Sequence, residues 1–295
     1  MRPAPHKSVL MREVLNVFEE KTIRFFFDGT LGAGGHAREI LEAHPEIERY
    51  YGCDRDPNAL AIAEKTLEAW GKKVEFIRGP YADAAEYLEE RGVGCIDGFL
   101  IDIGVSSMQL DERERGFSFM GDAPLDMRMD PEAQLTAEII VNRYGETELA
   151  RIFHEYGEER RSRQVAKAIV EARRKRRIRT TAELVDVVKP VATKGRLHPA
   201  TLVFQALRIV VNDELGQLER GLKAGIDCLC AGGRIAAISF HSLEDRIVKN
   251  RFRDEKDRLK ILTKKPIGPT AEEMRGNPRS RSAKLRAAEK VEEEL

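Results

Sequence analysis

Three aspartates and one glycine-rich loop are the residues of this chain best suited to chemistry. The loop reads Asp28-Gly29-Thr30-Leu31-Gly32-Ala33-Gly34-Gly35-His36 and lies where a short apolar run, Ile23 to Asp28, gives way to helical periodicity from Gly34. Glycine belongs where a backbone must turn sharply and let a ligand approach closely. The helix start that follows offers unpaired N–H groups. Gly32-x-Gly34-x-x-Ala37 also fits the dinucleotide fingerprint, so the loop alone does not choose between nucleotide ligands. Asp54, 20 residues after Gly34, ends the next apolar run and can accept both hydroxyls of a ribose. That step does not separate a methyl donor from NAD. Asp102 ends a further run, and an open parallel sheet gathers ligands at the carboxyl ends of its strands. Asp28, Asp54 and Asp102 then converge on one cleft. Three acids suit a cofactor carrying a sulfonium and an amino group, and they suit a pyrophosphate badly. Tyr81 follows the third run, where its ring can lie on adenine or pack as an ordinary half-buried tyrosine. His241 follows the fifth run and can accept a proton near neutrality, or be held by structure.

The elements that must position these residues alternate. Ile23 to Asp28, Arg49 to Asp54, Val74 to Ile77 and Ile96 to Ile103 read as strands, apolar at nearly every position. Between them Gly34 to Ala43, Pro57 to Trp70 and Ala82 to Arg91 read as helices, the second opened by a proline at its first position. Such alternation predicts a doubly wound, mostly parallel α/β sheet of Rossmann-like type. From about Gln109 to Val211 the pattern turns helical, with Ala137 to Tyr156, Ser162 to Arg174 and Thr181 to Val188 as helices. A helix from about Asn212 to Cys230 and a strand from Gly233 to Phe240 resume the first pattern. Lys260 to Lys264 and Ala283 to Lys290 are candidate closing strands, the latter readable as helix too. The reading is therefore two domains, 1–110 plus 212–295 forming the sheet domain and 111–211 an inserted all-helical one.

Net charge is zero, from 50 basic and 50 acidic side chains, but the distribution is uneven. Arg160, Arg161, Arg163, Lys167, Arg173, Arg174, Lys175, Arg176, Arg177 and Arg179 face only Glu171 between positions 160 and 180. Local density of this kind attracts a polyanion, and phosphate contact is the expectation for this tract. A second basic stretch holds Arg275, Arg279, Arg281, Lys284 and Arg286, of which Lys284 and Arg286 can instead flank a strand. No apolar run spans a bilayer, and Met1 to Leu10 lacks the apolar core of a signal peptide. Cys53, Cys95, Cys228 and Cys230 form no CxxC pair and have no histidines at zinc spacing. Reduced thiols in a cytoplasmic protein, without a metal site, are expected. Glu292 to Glu294 reads as a solvated tail.

The stretches Asp28 to His36, GCDRDP at 52–57, IDIGVSSMQLD at 101–111, ERGFSF at 114–119, PLDMRMDP at 124–131, HPATLVFQALRI at 198–209, SFHSLEDRIVK at 239–249 and NPRSRSAKLR at 277–286 run through nearly the whole chain in order. Together they resemble the bacterial ribosomal RNA small-subunit methyltransferase H family. The resemblance implies a methyltransferase domain interrupted by a helical domain, with S-adenosylmethionine as cofactor. It also implies methylation of the N(4) amine of a cytidine in the decoding region of 16S rRNA. The expected partner is that RNA, within the small subunit, bound by a monomer or homodimer. Cofactor positions carry over onto Gly34, Gly35, His36, Asp54, Tyr81, Asp102 and Gln109, and Gly32 and Ala33 of the same loop are added as cofactor-binding candidates. Leu202 stands where relatives often have a basic residue, and Ala123 where they often have glycine.

A cytosine amine is a poor nucleophile, because its lone pair is delocalised into the ring. A catalyst must aim that lone pair at the methyl group and accept hydrogen bonds from the amine. Asp102 is the first candidate for that role and His241 a candidate proton acceptor. The Asp/Asn/Ser-Pro-Pro-aromatic motif general among amino-methyltransferases is absent; the same place reads Asp102-Ile103-Gly104-Val105-Ser106-Ser107. Phe117, Phe119 and Phe240 can pack on an unstacked base, or Phe117 and Phe119 can anchor the helical insertion. The RNA-facing candidates are Arg160, Arg161, Arg163, Arg173, Arg174, Lys175, Arg176, Arg177, Arg179, Arg279 and Arg281. Three readings compete. They are a methyltransferase acting on DNA or protein, an NAD-dependent oxidoreductase, and a non-catalytic RNA-binding module.

Overall fold

A computed structural model describes residues 8–105, 109, 112–195 and 197–291. The N-terminal residues up to Lys7, the serines 106 and 107, and the 292–294 tail lie outside that set. The chain divides into one unit of Met1–Gly104 with Leu215–Leu295 and a second of Val105–Glu214. The expected borders at 110 and 212 fall a few residues from these.

In the first unit, seven strands form one sheet: β1 (Phe25–Asp28), β2 (Arg49–Asp54), β3 (Val74–Arg78), β4 (Ile96–Asp102), β5 (Leu229–Ser239), β6 (Leu259–Ile261) and β7 (Lys284–Lys290). Their order is β3-β2-β1-β4-β5-β7-β6. The first five run parallel, and β7 runs antiparallel to both neighbours. The fold is thus a Rossmann-like α/β sheet, as expected. Helices α1 (Met11–Phe18), α2 (Gly35–Ala43), α3 (Pro57–Thr66) and α4 (Ala84–Glu90) accompany its first half.

Successive strand residues enter opposite faces. Phe26, Tyr50 and Leu100 join one core with Phe18 and Ile40, while Phe27, Tyr51 and Phe99 join the other with Leu222. Both faces are covered, which explains the unbroken apolar runs in the sequence. Stacked rings tie β1 to its neighbours: Phe26 on Tyr50 at 5.0 Å and Phe27 on Phe99 at 5.2 Å between centroids. Truncating such a ring to alanine costs about 3–5 kcal/mol.

The second unit contains α5 (Ala137–Arg143), α6 (Glu146–Glu155), α7 (Ser162–Lys175), α8 (Thr181–Val188) and α9 (Thr201–Asn212). Phe153, Ile169, Leu184 and Leu207 are in its core. The expected single helix over 137–156 is two, because Tyr144 and Gly145 adopt extended backbone. The helix expected from Asn212 to Cys230 is α10 (Glu214–Cys228), separated from α9 by Asp213 in the left-handed region at φ 49°. The helices α11 (Ser242–Asp254) and α12 (Ala271–Gly276) lie beyond β5.

One sequence expectation is corrected. Cys95 and Cys230 are disulfide-bonded rather than reduced. Ile96 pairs with Leu229 across β4 and β5, so the two cysteines beside them meet although 135 residues separate them in sequence. Cys53 and Cys228 are free thiols.

Candidate active site

The sheet order reverses at β1, which pairs with β2 on one side and β4 on the other. Ligands of open α/β sheets sit outside the carboxyl ends of the strands at such a reversal. Asp28, Asp54 and Asp102 end β1, β2 and β4, and the glycine loop leaves from Asp28. Gly34 caps α2 in the left-handed region at φ 81°, a conformation that disfavours side chains with a Cβ.

Backbone and side-chain donors fix two of the acids. The Thr30 N–H donates to Asp28 Oδ1 and the Tyr50 hydroxyl to Asp28 Oδ2, both at 3.0 Å. The Gly32 N–H donates to Asp54 Oδ2 at 2.8 Å and the Asp56 N–H to Oδ1 at 2.9 Å. Asp102 differs. Its backbone N–H donates to Thr30 Oγ1 at 2.6 Å, yet its buried Oδ1 has no hydrogen-bond partner among the described residues. A buried polar atom left without a partner is costly, so Oδ1 is the natural docking point for a donor or cation.

Burial raises all three carboxyls. Asp102 is pushed up to about 8, mostly by desolvation and further by the charges of Asp28 and Glu244. Asp28 rises to about 7 by desolvation, against the pull of Thr30 and Tyr50 and with a push from Asp54. Desolvation takes Asp54 to about 6, held back by the N–H groups it accepts from. Three carboxyls that resist ionisation without a counter-charge form a site for a cation. The residues therefore fit a sulfonium cofactor: Asp102 has an open oxygen, and the loop and Asp54 stand at adjacent strand ends.

Of the other candidates, Gly32, Ala33 and Gly35 lie in the loop or at the start of α2. His36 is buried on α2, where its Nε2 lies 2.9 Å from the Val9 carbonyl. A carbonyl only accepts, so Nε2 carries a proton and Nδ1 faces Asp102 Oδ2 at 3.8 Å. Tyr81 packs tightly against Gly221, where a Cβ would collide with its ring. Gln109 is buried in the second unit.

His241 is the N-cap of α11, its Nδ1 accepting from the Glu244 N–H at 3.5 Å. The Glu244 carboxylate accepts from the N–H of Phe240 at 2.7 Å and of His241 at 3.2 Å. Glu244 Oε1 also lies 2.8 Å from His241 Nε2. Both ring nitrogens thus face one buried glutamate, the geometry of a capping histidine. Phe240, half-buried, packs against Gly104.

Sequence reasoning missed Thr30, Tyr50 and Glu244. Glu244 had a signal, three residues after His241 at capping-box spacing. Tyr50 had none, being one ring in an apolar run.

In the second unit, Arg160, Arg161, Arg163, Arg174, Lys175 and Arg179 are exposed, and none has a side-chain ion pair among the described residues. Arg176 pairs with Glu183 at 2.8 Å and Arg177 with Glu138 at 2.7 Å. Arg173 is half-buried and donates to the Val141 carbonyl at 2.7 Å. Burial lowers its pKa, and the neighbouring Arg174 charge lowers it further. Phe117 is buried in the helical core and anchors that unit, while Phe119 stacks on His198. In the first unit, Arg279 and Arg281 are exposed on a short 3₁₀ turn. Lys284 and Arg286 sit on β7 and pair with Asp245 at 3.4 and 2.7 Å.

An open, mostly parallel sheet with carboxylates ringing the glycine loop at its reversal point defines a Rossmann-like methyltransferase domain. The MraW methylase family model matches residues 3–291, and the chain belongs to that family. It is 51% identical to the ribosomal RNA small subunit methyltransferase H of Protochlamydia amoebophila (strain UWE25), with 98% of each chain covered. It is 48% identical to the protein of that name from Geotalea uraniireducens (strain Rf4), covering 97% of this chain and 98% of the relative.

Proposed function

We propose that this chain methylates the N(4) exocyclic amine of a cytidine in the decoding region of 16S rRNA. S-adenosylmethionine is the donor and supplies an electrophilic methyl group on a sulfonium. The observation that carries the chemistry is the buried Asp102 Oδ1, without a hydrogen-bond partner among the described residues, beside Asp28 and Asp54 in a cluster whose carboxyl pKa values burial raises. The names of relatives at about half identity over the whole chain support the substrate class.

The loop Gly32 to His36 and Asp54 bind the nucleoside end of the cofactor, with Tyr81 as a further contact. Asp102 Oδ1 accepts a hydrogen bond from the cytosine amine and so aims the nitrogen lone pair. Next to a cation Asp102 is ionised. The amine nitrogen would become cationic on alkylation, and passing its proton to Asp102 would neutralise both groups, which burial favours. Asp102 is then the group placed to take the amine proton. Glu244 fixes His241 at the end of β5, and His241 serves as a second acceptor if its contacts to Glu244 open. The basic side chains of the second unit bind phosphates of the RNA, led by Arg160, Arg161, Arg163, Arg174, Lys175 and Arg179. Arg176 and Arg177 contribute once their ion pairs with Glu183 and Glu138 rearrange, and Arg279 and Arg281 contribute from the first unit. Among the described residues no helix is long and apolar enough to cross a membrane.

Mass mapping of modified nucleotides in small-subunit RNA, with and without this gene in one strain, tests the proposal. Loss of one N(4)-methyl mark from a cytidine is expected. An unchanged modification map contradicts it. Methyl transfer to purified small subunits, compared with stripped RNA, DNA and protein, separates the substrate classes.

A further inference from the structure

In the second unit two large apolar side chains beside stacked rings are exposed. Met120 is 74% exposed and Leu197 59% exposed. Next to them in sequence, Phe119 and His198 stack their rings at 4.7 Å with 16° between planes. Phe204, buried, braces Phe119 edge-on at 5.4 Å. His198 is exposed, and the Ala200 N–H donates to its Nδ1 at 3.3 Å, which orients the ring. The series Phe204, Phe119, His198 thus leads from the core to solvent and ends on a flat ring.

Two sets of backbone contacts tie this patch to cations. Glu159, fully buried, accepts from the N–H of Arg161 at 2.7 Å and of Thr193 at 3.2 Å. That pins the loop carrying exposed Lys194, Leu197 and His198 to the start of the arginine tract. On the other side the Thr181 hydroxyl donates to the Gly121 carbonyl at 3.0 Å, and the Leu125 N–H donates to the Arg179 carbonyl at 2.9 Å. A Cβ on Gly121 would lie 3.9 Å from the Arg113 side chain. Arg160, Arg161, Arg163 and Lys194 are thus tied through Glu159 to the segment that carries His198, and Arg113 and Arg179 through Gly121 and Leu125 to the segment that carries Phe119.

We infer that the His198–Phe119 stack, with Met120 and Leu197, is a platform for an unpaired base of the RNA substrate. Every base has a π-face, and aromatic rings within a positive groove are the usual means of holding single-stranded nucleic acid. A purely apolar partner protein would leave the flanking cations without counter-charges, whereas RNA supplies a base for the rings and phosphates for the cations. The inference deepens the proposed function, on which it rests for the identity of the RNA.

Binding of the full-length chain to a decoding-region RNA fragment and to assembled small subunits tests it, for wild type, His198→Ala and His198→Phe. Removing one stacking ring weakens binding by about tenfold. The expected result is that loss for His198→Ala on the RNA fragment, with wild-type affinity kept by His198→Phe. The salt dependence should stay unchanged, since no phosphate contact is removed, and KM for RNA should rise at constant kcat. Unchanged affinity of His198→Ala overturns the inference. So does a loss that His198→Phe does not restore, which marks a polar contact. A loss confined to assembled subunits overturns it as well, since it marks a protein partner. If wild type binds RNA with this ring dependence yet methylates no cytidine, the proposed function fails and the platform stands.

Discussion

Asp28, Asp54 and Asp102 keep their charge back from solvent, whereas Arg160, Arg161 and Arg163 present theirs to it. The first set sits at strand ends, Asp28 buried and Asp54 and Asp102 half-buried, and desolvation raises its carboxyls to between about 6 and about 8. The second is exposed at the start of α7, its side chains without an ion pair among the described residues. A buried charge is expensive until a counter-charge arrives, so it selects one cation in one place. Exposed charges interact weakly one by one, are screened by salt, and act as a group on a polyanion. One region is built to recognise a small cofactor by electrostatic need, the other to hold a large anion by number.

The comparison breaks most sharply at Asp102. Asp102→Asn removes the open carboxylate while keeping shape, and turnover on small subunits should fall about 10²- to 10⁴-fold at saturating cofactor. Near wild-type turnover in that variant would place the chemistry outside the acid cluster.

Salt separates the two regions next. If about five basic side chains contact phosphate, log affinity for RNA falls with log salt at a slope of about −0.7 per contact. Replacing Arg160, Arg161 and Arg163 with alanine should flatten that slope by about 2. Arg173→Ala should leave it unchanged and lower the melting temperature instead, since Arg173 bonds to the Val141 carbonyl. A salt-independent affinity would remove the phosphate surface.

Without cofactor the acid cluster should also make the fold sensitive to pH. These carboxyls have folded pKa values above their unfolded ones, so the folded state holds extra protons between about pH 4 and about pH 8. Their ionisation costs stability as pH rises through that window. Urea unfolding at pH 8 should show Asp102→Asn more stable than wild type by about 1 kcal/mol or more, with the difference closing toward pH 5. An Asp102→Asn protein no more stable than wild type at pH 8 would show that Asp102 carries no desolvation strain.

The smallest effect belongs to His241. His241→Ala removes an N-cap worth about 1 kcal/mol and should lower turnover while leaving cofactor affinity nearly unchanged. Full turnover would reduce His241 to a capping residue.

How legible each region was follows from the range of its interactions. The strand ends at Asp28, Asp54 and Asp102 were readable because apolar runs and the residues ending them are local, and parallel topology brings such ends together. The partners of those acids were not. Tyr50 reaches Asp28 across neighbouring strands, and nothing in its own run marks it. The arginine tract was visible as density, but Glu138 and Glu183 come from other helices to neutralise Arg177 and Arg176. Sequence adjacency also failed at Tyr144 and Gly145, where extended backbone splits a periodic run, and at Cys95 and Cys230, which only the β4–β5 register brings together. Phe119 was readable as an aromatic, but its stacking on His198 depends on a loop pinned by Glu159.

Calorimetry of S-adenosylmethionine binding at pH 7, in two buffers of different ionisation enthalpy, tests the central claim most directly. A cationic ligand that completes three reluctant carboxyls must drive them to ionise. The account predicts net proton release on binding, reduced in Asp102→Asn. Binding without any proton release, or no binding heat at all, would contradict it.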